Sequence, residues 1–243
     1  MQQSNFYIIT YTAALTVICG LLLSVTATGL KSKQQENIAL EQKKNILASV
    51  MKLRNTDDVR AIYEKRVKSY VIDFEGEVKQ GMKAEEVSVA NEYKKPKVER
   101  LYPVYEIVAE NNPNKTEYYV FPVYGFGLWD NIWGFVALEN DLNTIKGVKF
   151  DHKGETPGLG ARIATEEIQA RYVGKKIFEG DSIVSVVMQK GEGQDYSNNP
   201  HQVDGMSGAT ITGKGLNAML AEYLSGYQNF IKSKRGNKMS FNQ

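Results

Sequence analysis

The sequence predicts an α+β fold: a single N-terminal transmembrane helix, then a mixed-sheet domain with flanking helices. Three observations carry this. Residues 1–30 contain no charged side chain. From Leu101 onward, short segments rich in aromatic and β-branched residues alternate with Asn, Gly and Pro. Near the C-terminus, apolar residues recur in steps of three and four. With 243 residues, 42% hydrophobic and 24% charged, the chain can build one sizeable core behind an anchor.

Taken in order, Phe6 to Ala27 supplies the roughly 20 apolar residues that a membrane-spanning helix needs. Thr10, Thr12 and Thr16 are compatible with it, because a threonine hydroxyl can return to the helix backbone. The competing reading is a cleaved signal peptide ending at Val25–Ala27, but no basic residue precedes the apolar stretch. Residues 31–56 read as a polar helical stalk, and 57–67 as a short helix opened by Thr56-Asp57-Asp58. Ser69–Phe74 is extended, and a polar connection follows to about Arg100. Strands are expected at YPVYEIVA, EYYVFPVYG, IWGFVALEN, NTIKGVKFD and DSIVSVVMQ. A helix with Thr165 as N-cap is expected at ATEEIQARYVGKK. One long amphipathic helix carries Leu216, Met219, Leu220, Tyr223, Leu224, Tyr227, Phe230 and Ile231. The resulting divisions are a tail at 1–5, a transmembrane helix at 6–29, a stalk and connecting region at 30–98, the sheet domain at 99–232 and a tail at 233–243.

Several function classes are excluded by composition. Net charge is +2 with acids and bases interleaved, so no basic face for nucleic acid exists. Cys19 is the only cysteine, and His152 and His201 are the only histidines. That excludes a disulfide framework and a Cys/His metal centre.

Three glycine-rich stretches remain. DGMSGATITGKGL, Asp204 to Leu216, places Ser207, Thr210 and Thr212 in the turn that feeds the last helix. A helix N-terminus offers unpaired amides and the positive end of the dipole, so a hydroxyl there either caps the helix or neighbours a bound anion. The stretch is not a Walker loop, because the GxxxxGK[ST] spacing is missing. HKGETPGLGARI, His152 to Ile163, sets Glu155, Thr156 and Leu159 on a sharp Pro-Gly loop that can lie against a flat heterocycle. GFGLWDNIWGFVAL, Gly125 to Leu138, carries Trp129 and Trp133, which are expected to pack in a core or interface. His201 reads as a loop residue, and Lys190-Gly191-Glu192-Gly193 as a flexible strand exit.

DGMSGAT resembles the flavinylation motif Asp/Asn-Gly-x-Ser/Thr-Gly-Ala-Thr of proteins that bind FMN through a threonine phosphoester. Together with GLW…GFVAL, ETPGLG and one N-terminal anchor, the chain resembles the C-subunit family of sodium-translocating NADH:quinone oxidoreductases. The resemblance runs from the anchor to the last helix. It implies an FMN-binding domain with FMN bonded to Thr210, beside Ser207, Gly208 and Ala209 of the motif, and with Glu155, Thr156, Leu159 and Gly160 around the isoalloxazine. It also implies attachment by a Mg²⁺-dependent flavin transferase using FAD, and partnership with the other subunits of a respiratory complex that exports sodium. The domain would face the periplasm from the bacterial inner membrane. Lys31 and Lys33, after the apolar stretch, point to the opposite side by the positive-inside rule, but that bias rests on two residues. The related G subunit of the ferredoxin:NAD electron-transport complex shares the SGAT and ETPGLG signatures, while GLWDNIWGFVALEN looks more like the quinone reductase subunit. A non-redox anchored module, with Thr210 as a mere cap, is the alternative from another class.

Overall fold

A computed structural model describes residues 4–241. Of the two tails expected at the chain ends, residues 1–3 and 242–243 lie outside the described residues. The chain divides into two compact units, one ending at Lys43 and one beginning at Lys44.

Helix α1 covers Asn5–Ala48. Residues 4–39 are exposed throughout, and the helix includes a stretch long and apolar enough to cross a membrane. Its threonines are satisfied internally: Thr10, Thr12 and Thr16 donate to the carbonyls of Phe6, Ile8 and Thr12 at 2.8–2.9 Å. The helix stops eight residues before the expected end of the stalk at 56. Ser49 Oγ donates to Ile46 O at 2.6 Å and the Val50 amide reaches Leu47 O at 3.0 Å, so the last carbonyls are taken up by a tightened turn. At this point Ile46 and Leu47 are fully buried, and Ser49 O lies where a Cβ on Gly147 would be.

Helix α2, Val59–Arg66, starts at Asp58, whose carboxylate accepts from the Arg60 and Ala61 amides. The strands β1 (Val67–Ile72) and β2 (Val78–Lys79) follow, then the single turn α3 (Val89–Glu92). Next come β3 (Tyr102–Ala109), β4 (Asn112–Phe126), β5 (Asn131–Glu139) and β6 (Ile145–His152). They form one six-stranded sheet in the order β2-β1-β3-β4-β5-β6, antiparallel at every pairing.

Past β6 the elements are short. Helix α4 spans only Glu166–Ala170 of the expected 164–176, because Gly174 takes φ +79° and its amide turns to Ile145 O. Thr165 occupies the N-cap position, yet its hydroxyl donates back to Arg162 O and caps no amide. The strand expected over 181–189 is two pieces. Strand β7 (Phe178–Glu179) makes a hairpin with β8 (Ser182–Ile183), and β9 (Val187–Met188) pairs in parallel with β10 (Gln202–Val203). Ser185 breaks the run at φ +62°, a conformation a strand cannot contain. Parallel pairing is confined to β9 and β10 among the described residues.

The last helix is also two: α5 (Thr210–Gly226) and α6 (Gln228–Phe241). At the junction Gly226 lets the Tyr102 ring approach, and the buried Tyr227 hydroxyl donates to Pro103 O and Pro122 O. Tyr227 itself stays helical at φ −82°, ψ −3°, its amide bonded to Tyr223 O and its carbonyl to the Ile231 amide, both at 3.0 Å, so the interruption is one residue long.

Both sheet faces are buried, and the side chains divide by the two-residue strand period. Tyr102, Val104, Phe121, Val123 and Val136 join Leu216, Leu220, Tyr223 and Ile231 in the larger core. Tyr105, Ile107, Val120, Phe135 and Ala137 join Ile46, Leu47 and Tyr63 in the smaller one. Helix α5 lies against β4, bringing its N-terminus close to the ends of β4 and β6.

A cleft at the mouth of the long C-terminal helix

Three segments far apart in sequence meet at the N-terminus of α5. They are the β4–β5 turn (Gly127 to Asp130), the loop after β6 (Glu155 to Gly160) and the start of α5 itself. Among them lies a cleft of about 280 Å³ lined by Leu128, Trp129, Glu155, Thr156, Leu159 and Gly160, and by Gly208 to Thr212.

Glu155 joins all three walls. It is buried, 4% exposed. Its Oε1 accepts from the Leu128 and Trp129 amides, both at 2.9 Å, and its Oε2 accepts from the Thr212 hydroxyl at 2.6 Å. Burial by itself would raise the carboxyl pKa. The Thr212 hydroxyl and the amides of Trp129, Asp130 and Leu128 outweigh it and hold the group below the usual glutamate range. The glycines make room for this arrangement: a Cβ at Gly160 would strike the Glu155 carboxylate and Thr212 Oγ1, and one at Gly127 would strike Glu155 Oε1.

Thr210 is the first residue of α5, half-buried at the cleft. No side chain caps the helix. The first intrahelical bond is Gly213 N to Ala209 O at 3.0 Å, so the amides of Thr210, Ile211 and Thr212 precede it and have no acceptor within the helix. Thr212 is occupied by Glu155, and Thr210 is left at a helix end suited to an anion. The cap reading of either threonine therefore has no hydrogen bond to rest on.

The motif is held from behind. Glu192 accepts from both Arg162 nitrogens at 2.9 and 2.5 Å, from Arg171 at 3.1 Å and from the Ser207 amide at 3.0 Å. The Arg162 guanidinium, the Ser207 amide and Arg171 keep its carboxyl far below the usual range. Arg171 also donates to the carbonyls of Asp204 and Gly205. Asp204 accepts from the Gly193 and Gln194 amides at 2.8 and 3.1 Å. Gly205 is buried where a Cβ would meet Gln189 O and Gly191 O. Gly208 turns the chain at φ +73°, 2.8 Å from Leu159 Cδ2 measured from the position of a Cβ.

The structure thus brings Glu155, Thr156, Leu159, Gly160, Gly208, Ala209 and Thr210 to one cleft. Ser207 is exposed, engaged through its amide, and is not among the residues lining the cleft. Trp129 departs from the expectation of packing. It is 70% exposed on the cleft rim, because a four-residue β-turn has no interior to bury it. Trp133, on β5, is half-buried. The segment 190–193 is not merely a flexible exit, since Glu192 is the hub of the ion cluster. His201 is a loop residue as expected, with Nδ1 at 2.8 Å from Lys176 O. Nothing local in the sequence singles out Glu192, Arg162 or Arg171, and Thr212 stands there only as one of two cap candidates. Trp129 alone had a local signal for the rim, a large aromatic between Gly and Asp-Asn turn formers.

The site fits a flat, anionic cofactor. Leu128, Trp129, Leu159 and Ile211 are 42–70% exposed around one small opening, an apolar rim that water alone does not explain. The adjoining helix end offers unpaired amides, and glycines keep side chains out of the gap.

Residues 127–225 match the FMN-binding domain family. The C subunit of the Na(+)-translocating NADH-quinone reductase of Haemophilus ducreyi is 31% identical over 221 residues, covering 86% of this chain and 85% of that protein. The crystal structure of the C subunit of the Parabacteroides distasonis reductase superposes with a TM-score of 0.73 at 32% identity, covering 83% of this chain and 96% of that one. The corresponding Shewanella oneidensis structure gives 0.70 at 27% identity, covering 82% and 98%.

Proposed function

The chain belongs to the C-subunit family of the sodium-translocating NADH-quinone reductase, and from that premise we propose that it relays electrons through an FMN bonded to Thr210. It is a flavoprotein subunit of an oxidoreductase complex. The observation that carries the finer reading is the position of Thr210. It is the first residue of α5, beside unpaired amides, in a cleft walled by the Glu155–Gly160 loop and the Leu128-Trp129 turn.

FMN, when bound, supplies the one- and two-electron redox chemistry; the chain supplies position and field. Thr210 would hold the cofactor through its Oγ1 as a phosphodiester, the hydroxyl displacing AMP from the flavin-side phosphorus of FAD with release of AMP and a proton, in a step that a separate Mg²⁺-dependent transferase would carry out. The diester keeps one negative charge, which a helix N-terminus favours by roughly 0.3–1 kcal/mol. Leu128, Trp129, Leu159 and Ile211 would offer apolar surface to the isoalloxazine, and Thr156 a hydroxyl in the same cleft wall. A covalent tether suits a domain facing the periplasm, where no FMN pool would replace a lost cofactor. The segment 6–29 of α1 crosses the inner membrane, and neighbouring subunits exchange electrons with the flavin while the complex exports sodium.

The test is co-expression with a flavin transferase, denaturation and gel electrophoresis under ultraviolet light. The wild-type band fluoresces and the Thr210→Ala band does not. A dark wild-type band refutes the covalent reading, and a fluorescent Thr210→Ala band moves the bond to another hydroxyl.

A further inference from the structure

Glu155 has the features of a group retained for its charge. Taking a carboxylate out of water costs several kcal/mol, which proteins normally offset with a cation. Here none is supplied: among the described residues Glu155 makes no ion pair. The charged groups nearby are engaged elsewhere, Asp130 with Lys153 at 3.2 Å and Arg162 with Glu192. His152 meets Glu155 only through the main chain, its Nδ1 accepting from the Glu155 amide at 3.3 Å. The carboxylate is balanced by the amides of the β4–β5 turn and one hydroxyl, dipoles that stabilise the anion without cancelling its charge.

Joining the three loops does not require that charge. A glutamine of the same shape has a carbonyl for the Leu128 and Trp129 amides, and its NH₂ can donate to Thr212 Oγ1. What a glutamine lacks is a net negative charge in the wall of an apolar cleft, where effective dielectric is low.

We propose that Glu155 is a positioning residue whose fixed negative charge in the cleft wall disfavours electron uptake by the FMN and so lowers its reduction potential. The inference rests on the FMN reading above. It assigns Glu155 a role through its field, with both its oxygens committed to the protein.

The full-length holoprotein is titrated with dithionite in the presence of indicator dyes, and flavin absorbance gives the midpoint. Two variants give opposite signs. Glu155→Gln removes the charge and keeps the shape. At a fixed potential it raises the ratio of reduced to oxidised flavin about tenfold, or about 59 mV for the first electron. Thr212→Val keeps the charge and removes the hydroxyl dipole that faces it, so the midpoint moves by a smaller step to more negative values. A role confined to holding the loops would leave the Glu155→Gln midpoint in place, because the amide keeps those bonds, and would shift only Thr212→Val. An unchanged midpoint in Glu155→Gln, or equal signs in the two variants, overturns the proposal. If Glu155→Gln does not retain flavin, Thr212→Val decides alone: a more negative midpoint supports the proposal, and an unchanged or more positive one overturns it. Absence of covalent flavin in the wild type would instead overturn the reading on which the proposal rests.

Discussion

Thr212→Val isolates one hydrogen bond at the centre of the cleft. The replacement is nearly isosteric, and Thr212 is 1% exposed, so neither a cavity nor a new surface enters. The loss is the 2.6 Å bond to the Glu155 carboxylate. A bond to a charged group contributes about 1.5–3 kcal/mol. The Leu128 and Trp129 amides still hold Oε1, so about 2 kcal/mol is the expected cost. For a domain of roughly 200 residues that lowers Tm by about 4–8 °C. The measurement is thermal unfolding of the full chain in detergent, produced without transferase so that no flavin contributes. Thr212→Ser restores the hydroxyl and recovers most of the loss. The pH dependence has a definite sign. The folded Glu155 pKa is depressed, so its contribution is present above the unfolded pKa of about 4.3 and is lost as pH falls through the folded value. The gap between wild type and Thr212→Val is therefore full at neutral pH and closes in acid. A neutral-pH shift below about 1 °C, or a gap that widens in acid, refutes the role given to this bond.

Two further outcomes are expected. Gly208→Ala places a Cβ at φ +73° and 2.8 Å from Leu159 Cδ2; because Leu159 is on the surface and can yield, the cost is about 1–2 kcal/mol by unfolding. The fraction of chains carrying covalent flavin falls with it, and unchanged labelling would show that this turn does not position Thr210. Glu192→Ala releases Arg162, Arg171 and the Ser207 amide together, so limited digestion of the loop before α5 by the broad-specificity protease subtilisin becomes several-fold faster in low-salt buffer. High salt narrows the difference by screening the wild-type cluster. Equal rates at both salt levels would mean that the cluster does not order the motif.

Much of the framework was legible because each signal is local. A charge-free run, a two-residue alternation and a three-to-four periodicity are properties of neighbours along the chain. They locate α1, the strands β3 to β6 and the apolar face of α5 with α6. Reading failed where a distant contact overrides local preference. The segment 181–189 looks like one strand until Ser185 turns it. Thr165 looks like a cap, but its hydroxyl finds the Arg162 carbonyl first.

The site divides along the same line. By itself, the sequence determined that the chain has an apolar N-terminal segment long enough to cross a membrane, an α+β domain and a hydroxyl-bearing glycine turn at a helix mouth, since composition and spacing specify these. Only the tertiary structure decided which hydroxyl is committed and which is left: Thr212 is bound to Glu155, 57 residues away, and Thr210 stands unpaired by any cap. It also decided that Trp129 lies on the rim and that Glu192 holds the motif from behind. The physical reason is that a buried carboxylate must find its donors wherever the fold brings them. Those donors come from a β-turn and a helix end that no window along the chain contains together.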